Sequence, residues 1–191
     1  MLYPTRLAIY KNIVIAAAVL MVSGFKSQPV TIYHTTSGRI DFRSDAPLEI
    51  IRASSNDLLG LIDISKNNFS FKVVIRSFQG FNSPLQKEHF NENYLESDKY
   101  PEASFKGKII EDADLTVDGT YEVRAKGNLT IHNVMQERII KCAVTVKNKI
   151  ITIHSSFTVL LSEHNIPIPK VVYQKLANEI KVEVTATLEP R

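Results

Sequence analysis

The chain has 191 residues, of which 44% are hydrophobic and 23% are charged, and its formal net charge is +3. This length is enough for one domain with its own core, and a single cysteine, Cys142, excludes an intramolecular disulfide. The basic residues form no block that would follow a phosphate backbone, so nucleic acid is not an expected partner.

The N-terminus has the pattern of a secretory signal peptide. Arg6 and Lys11 precede an uncharged apolar run over residues 12–22, which ends at Ser23 and Gly24. A transmembrane helix needs about 20 apolar residues, roughly twice the length of this run. We therefore expect a signal peptide over residues 1–24 and a single domain over residues 25–191. The mature protein is expected in the periplasm or outside the cell, with no transmembrane anchor after processing.

Three strands are predicted in the first part of the mature chain. Residues 39–43 and 50–64 show alternation that is interrupted, and we expect a β-bulge at Gly60. From Phe69 the alternation of apolar and polar residues becomes regular. The apolar face of this third strand consists of Phe69, Phe71, Val73 and Ile75.

A short helix is predicted next. Ser83 is a suitable N-cap and Pro84 fits the first helical position, while Leu85, His89, Phe90 and Tyr94 follow at helical spacing. The turn over residues 97–101 ends the helix, because the residue before Pro101 is pushed out of the α region. In a barrel such a helix can gate one end or simply cap the core, and both remain open.

Four further strands are predicted over residues 121–131, 140–146, 151–159 and 180–188, each with one polar and one apolar face. Turn-forming residues separate them at 118–119, 132–133 and 147–148. A second short helix is predicted over residues 170–177.

These elements predict an all-β fold, an antiparallel barrel of about eight strands with one or two short helices. Closure removes exposed strand edges, and eight strands can enclose one ligand. A two-sheet sandwich would place the same residues inside. Alternation alone does not separate the two.

A series of short motifs extends from the predicted helix to the end of the chain. They are His89-Phe90-Asn91, Asp98-Lys99-Tyr100-Pro101, Ser104-Phe105-Lys106-Gly107 and Gly127-Asn128-Leu129-Thr130-Ile131-His132, followed by Phe157 and Ile166. In their order and spacing they resemble the YceI-like family of lipocalin-like, polyisoprenoid-binding periplasmic proteins. The chain departs from the family at Asn133, where members commonly have Gly. The first sixty residues match poorly.

The resemblance implies a barrel whose bore holds the tail of a polyisoprenoid or similar long-chain lipid. The candidate ligand-binding residues on the inward faces are Phe69, Phe71, Val73, Phe90, Phe105, Tyr121, Val123, Ala125, Leu129, Val144, Ile153, Phe157, Val182 and Val184. Among the small inward residues, Ala125, Gly127 and Ala186 are expected to leave room for the tail. The alternative is an ordinary packed core.

No catalytic or metal site is predicted. The five histidines, His34, His89, His132, His154 and His164, show no metal-ligand spacing with one another or with Cys142. Glu88-His89 and Glu163-His164 are adjacent pairs, whose side chains point in different directions. Cys142 faces inward by parity and is interpreted as a small core residue.

Two functional classes follow. The first is an envelope lipid-binding protein that acts as a carrier or sink, with no cofactor apart from a bound isoprenoid lipid. The second is an envelope interaction or structural domain with a filled core and no ligand. A homodimer is compatible with either, and an enzyme is the least supported class.

Overall fold

Eight antiparallel strands form one closed barrel in the computed structural model, which describes residues 32–191. The strands are β1 (Ile32–Asp45), β2 (Ile50–Asp63), β3 (Asn68–Val74), β4 (Glu102–Ile109), β5 (Gly119–Ile131), β6 (Val134–Lys147), β7 (Ile150–Leu160) and β8 (Glu179–Pro190). Each strand pairs with the next in sequence, and β8 pairs with β1. The predicted signal peptide lies outside the described residues.

Closure confirms the predicted barrel and excludes the two-sheet sandwich. Pairing between β1 and β8 runs from Tyr33 opposite Pro190 to Ser44 opposite Ile180, so the first and last strands join along most of their length. Every strand then has two neighbours, and the edges that would template association with another sheet are absent from residues 32–191. The residues that alternate in sequence thus share one enclosed interior.

The bulge predicted at Gly60 is displaced. The register between β1 and β2 shifts twice, with an extra residue in β1 over 35–38 and an extra residue in β2 over 55–58. Gly60 has a different role, because a Cβ at this position would collide with the ring of Phe71 on β3. The missing side chain makes space for that ring, which points into the barrel.

Two hairpins turn through residues with positive φ. His132 and Asn133 have φ values of 52° and 59°, and Asn148 and Lys149 have values of 52° and 62°. Paired left-handed residues give a two-residue turn the twist of the flanking strands, and Asn tolerates this conformation. Asn133 therefore replaces a glycine without loss of the turn, and the second turn lies one residue later than predicted.

The connections gather at the two ends of the barrel. At one end, called the mouth end, lie the turn over residues 46–49, the long connection 75–101, the hairpin at 132–133 and the connection 161–178. At the other, called the closed end, lie residues 64–67, 110–118 and 148–149. Both long connections that contain helical turns are therefore at the mouth end.

The first predicted helix is present and the second is not. Helix α1 (Pro84–His89) begins at Ser83, whose hydroxyl accepts a hydrogen bond of 3.2 Å from the backbone N–H of Gln86, and it continues as a π-helical turn over Phe90–Tyr94. The helix predicted over residues 170–177 is reduced to one 3₁₀ turn, Lys170–Val172. No helix among residues 32–191 has the length and apolar character needed to cross a bilayer.

Tertiary contacts explain why the second helix does not form. Leu48 in the turn between β1 and β2 donates its N–H to the carbonyl of Gln174 at 2.9 Å. The N–H of Ala177 is bound at 2.9 Å by the hydroxyl of Ser44. These bonds to another part of the chain take backbone groups that a continuous helix would use, and they hold the segment against the mouth end.

Candidate functional site

A cavity of about 520 Å³ lies inside the barrel and opens towards the mouth end. Protein interiors contain few voids larger than a water molecule, whereas pockets for small ligands measure about 300–1,000 Å³. Side chains from all eight strands contribute to the wall, together with α1 and the segment around Leu176. The barrel is thus hollow over part of its length, which an ordinary packed core would not be.

Thirteen of the fourteen candidate ligand-binding residues lie in the wall. The wall includes Phe69, Phe71, Val73, Phe90, Phe105, Val123, Ala125, Leu129, Val144, Ile153, Phe157, Val182 and Val184. Tyr121 is the exception: it lies near the closed end and its hydroxyl donates to the carbonyl of Val117 at 2.9 Å. Tyr121 therefore packs on the core outside the cavity wall, with the inward parity that the alternation predicts.

The three small residues expected to make room for a tail have different roles. Ala125 lies in the cavity wall. Gly127 faces Gly107 across β4 and β5, and a Cβ on Gly107 would lie 2.5 Å from the Cα of Gly127, so this pair permits close approach of two strands. Ala186 is almost fully buried, and a Cβ on Gly38 would lie 3.0 Å from its methyl group. Only Ala125 leaves space in the cavity.

The closed end is packed solid. Leu115, Ile151 and Leu188 are at most 3% exposed and belong to the main core cluster, but they do not reach the cavity wall. Leu115 comes from the connection 110–118, which folds across this end. The cavity is therefore blind, and its entrance lies at the mouth end.

Four phenylalanines beneath α1 form a cluster, of which only Phe90 was predicted from the sequence to line the cavity. The ring of Phe90 lies 5.4 Å from Phe42, 5.8 Å from Phe78 and 5.0 Å from Phe81, measured between centroids. All four rings line the cavity. Aromatic contacts of this kind add about 0.5–1.5 kcal/mol each beyond the area that they bury. The cluster holds the helix over the cavity, so Phe90 is both a wall residue and the anchor of α1.

Phe78 and Phe81 gave no signal in the sequence because they follow β3 in a segment without a period. Mutual backbone hydrogen bonds of 2.8 Å between Ser54 and Gln79 attach this segment to β2. That pairing places both rings against the strands. Only tertiary contacts could reveal it.

Polar side chains surround the entrance. They are Glu49, Ser83, Gln86, His89 and Lys175, and the side-chain amide of Gln86 donates to Glu49 at 2.9 Å. One acidic and one basic side chain, with neutral polar groups between them, offer hydrogen-bonding partners but little net charge. The apolar wall and this polar rim match the two parts of an amphiphile.

Cys142 points into the cavity wall from β6. Burial raises the pKa of its thiol to about 11, so the thiol stays protonated near neutral pH and is a poor nucleophile. It contributes a small apolar surface, as the sequence predicted.

A cluster of polar residues at the mouth end lies outside the cavity. The side chain of His132 contacts Glu96 at 2.7 Å and the carbonyl of His164 at 3.2 Å, and the ring of Tyr100 lies 4.6 Å from its own. His164 is fully buried and donates from Nδ1 to the carbonyl of Val134 at 3.1 Å. These contacts join the Asp-Lys-Tyr-Pro and Leu-Thr-Ile-His motifs at one place in the fold.

The acid–base candidates do not form a reaction centre. His89 is exposed at the rim, and Glu163 pairs with Arg138 rather than with His164. Burial lowers the pKa of His164 and thereby favours its neutral form. Within residues 32–191, no three His, Cys, Asp or Glu side chains converge in a way that could hold a metal ion.

Comparison with known proteins agrees with this architecture. A family model described as YceI-like domain matches residues 23–188, a longer stretch than the motifs that begin at His89. Comparison with curated proteins gives no match.

Solved structures share the fold at low identity. A polyisoprenoid-binding domain from Saccharophagus degradans, described as implicated in plant cell wall breakdown, has a TM-score of 0.71 at 11% identity, covering 85% of this chain and 99% of that one. BcnA of Burkholderia cenocepacia has a TM-score of 0.65 at 13% identity, covering 79% and 95%. A YceI protein of Campylobacter jejuni has a TM-score of 0.54 at 13% identity, covering 100% and 99%.

Proposed function

The chain belongs to the YceI-like domain family, and on this premise we propose that it binds a long apolar lipid of the polyisoprenoid type in its barrel cavity. One similar structure is a polyisoprenoid-binding domain. The proposed role is that of a carrier or sink for such a lipid in the cell envelope, after removal of the signal peptide. It is a binding protein in this proposal and not an enzyme, and it requires no cofactor.

The cavity is the observation that carries the proposal. Its wall is almost entirely aliphatic and aromatic, it ends blindly at the packed end, and it opens where α1 and the 170–176 segment meet. Burying a methylene contributes about 0.8 kcal/mol, so a tail of many carbons has more than enough driving force. Non-covalent affinities do not exceed about −18 to −21 kcal/mol. Cavity depth, rather than strength of attraction, would therefore select the tail length.

The blind end gives the proposed ligand a direction. A tail enters first and stops above Leu115, Ile151 and Leu188. The polar end of the lipid then lies at the rim, within reach of Gln86 and Lys175. The near balance of Glu49 and Lys175 favours a head group of low charge.

Native mass spectrometry tests the proposal directly. Delipidated protein is incubated with a polyprenol in detergent, and the fraction of chains that carry one lipid is measured. Ala125→Phe places a ring in the cavity and should lower this fraction, because the ring occupies volume that the tail would use. Thr152→Phe adds the same ring to the exposed outer face of β7 and is the matched control.

Equal uptake by the two variants would contradict the proposed site. Failure of the parent to take up any polyprenol, together with absence of lipid in protein isolated from the envelope of its own host, would favour the interaction or structural domain instead.

A further inference from the structure

Large apolar side chains protrude at the mouth end. Val171 is 87% exposed, Leu48 is 68% exposed, Tyr173 is 64% exposed and Leu85 is 57% exposed. Scattered exposed apolar residues are common, but a group at one place usually marks an interaction site. We call these four residues the mouth patch.

Hydrogen bonds join the three segments that carry the mouth patch. The N–H of Leu48 donates to the carbonyl of Gln174, the neighbour of Tyr173, at 2.9 Å. On the other side, the side chain of Asn82 donates to the carbonyl of Ile50 at 3.0 Å and thereby ties the start of α1 to the same turn. The turn 46–49 therefore bridges the helix and the 170–176 segment.

The mouth patch is also continuous with the cavity. Leu85 belongs to the cavity wall and is at the same time more than half exposed. Val172 and Leu176, which line the entrance, alternate with the exposed residues of their segment. An apolar molecule could thus pass from the outer surface to the bore along apolar side chains.

The segment of the mouth patch that contains Val171 and Tyr173 carries only positive charge. Residues 165–178 contain Lys170 and Lys175, both exposed, and no acidic residue. The two lysines flank Val171 and Tyr173 in sequence. Lysines whose stems lie along apolar surface while their ammonium groups reach the head-group level, next to a tyrosine, are typical of membrane interfaces.

We propose that the mouth patch docks on the surface of an anionic phospholipid bilayer, with Val171 and Tyr173 inserted among the lipids. A stable protein interface usually takes about 20–30 residues per partner, whereas the mouth patch consists of four side chains that protrude without a groove between them. A bilayer accommodates such side chains without a complementary shape. Docking here would let a lipid move between bilayer and cavity without crossing water, which rests on the proposed lipid-binding function.

Fluorescence tests this orientation, because the sequence contains no tryptophan. Tyr173→Trp places a single reporter in the mouth patch, and Val117→Trp places one at the closed end, where Val117 is 54% exposed. On addition of vesicles of phosphatidylcholine and phosphatidylglycerol in equal parts, the emission of the first variant should shift to shorter wavelength. The emission of the second should not change. Shifts of equal size, or a shift only at the closed end, would overturn the proposal.

A second pair of variants measures the binding itself by vesicle co-sedimentation. Val171→Asp should lower the partition constant about tenfold or more, because it replaces an inserted side chain by a charge that anionic lipid repels. Val117→Asp should leave it unchanged. Circular dichroism confirms that all variants remain folded. A parent protein that does not bind vesicles, or a Tyr173→Trp shift that depends on protein concentration and not on lipid, would exclude the bilayer, the latter in favour of a second copy of the chain.

These vesicles contain no isoprenoid, so the two proposals fail separately. A chain that takes up polyprenol from detergent but ignores vesicles overturns docking alone. A chain that binds vesicles through Val171 but takes up no polyprenol retains the docking surface and loses the proposed ligand.

Discussion

The two ends of the barrel are built from the same strands and yet differ in their interior. At the closed end, one core cluster contains Leu115, Ile151 and Leu188, which are almost inaccessible to solvent. Towards the mouth end, inward residues of the same strands surround an open cavity. Alternation of apolar and polar residues is equally regular in both halves.

The connections cause the difference. The connection 110–118 inserts Leu115 between the strand ends and fills the closed end. At the mouth end α1 lies across the opening on the Phe90 cluster without filling it, and β7 continues into the 3₁₀ turn Leu161–His164, which packs beside β6. Whether a barrel half is filled thus depends on which side chain its loops place in the bore.

The largest expected contrast comes from the same truncation at the two ends. Leu188→Ala should lower the free energy of unfolding by about 2–5 kcal/mol, because it removes methyl groups from a site that cannot collapse. Leu85→Ala, in the mouth patch, should change it by no more than about 0.5 kcal/mol. Urea denaturation measures both. Equal losses would mean that the closed end is not the more tightly packed half.

Replacement of each of two alanines by phenylalanine should distinguish a packed site from the cavity. Ala186→Phe should cost about 1–3 kcal/mol or more, since Ala186 is enclosed and the ring has no space. Ala125→Phe should cost less than about 1 kcal/mol, because its ring can extend into the cavity. Thermal midpoints of the two delipidated variants provide the measurement. A larger loss for Ala125→Phe would contradict the cavity.

The smallest effect is a pH dependence confined to the mouth end. Burial lowers the pKa of His164 and the charge of Arg138 adds to this, while hydrogen bonds to the carbonyls of Val134 and Ile131 and the charge of Glu163 oppose it. The unfolded chain therefore binds a proton at a higher pH than the folded protein does. The part of the free energy of unfolding that depends on His164 is fully present above about pH 6.5, the ordinary pKa of histidine. It falls by at most about 1.4 kcal/mol per pH unit as the pH decreases toward the pKa of His164 in the folded protein.

His164→Gln should flatten this part of the pH profile, and urea midpoints measured on either side of the ordinary histidine pKa would show it. Hydrogen exchange in mild acid should quicken first around Ile131 and Val134, which flank the buried ring. Parallel profiles for parent and variant would exclude His164 as the cause.

Much of the fold and the wall follows from the sequence. The period of two placed Val123, Ala125 and Leu129 on one inward face, and the structure finds them there. The capping pattern Ser83-Pro84 gave α1 its start. Both signals are local, because a strand's pleat and a helix's first turn depend on adjacent residues.

The errors all involve contacts between distant residues. Gly60 accommodates the ring of Phe71 and does not itself form a bulge. Residues 170–177 form hydrogen bonds to Ser44 and Leu48 in place of a continuous helix. Tyr121 faces inward as predicted, but it lies near the closed end of the barrel and not beside the cavity. No local sequence pattern indicates which residue of another strand lies opposite a given residue.

The sequence by itself determined the strands and their inward faces, and hence an apolar interior, because hydrophobic burial and strand geometry require them. Only the tertiary structure decided that the strands close into a barrel and that its interior is solid at one end and hollow at the other. That choice depends on how loops without periodicity carry Leu115, Phe78 and Phe81 to the strand ends, and on close approaches such as Gly107 to Gly127 that set the spacing of the wall.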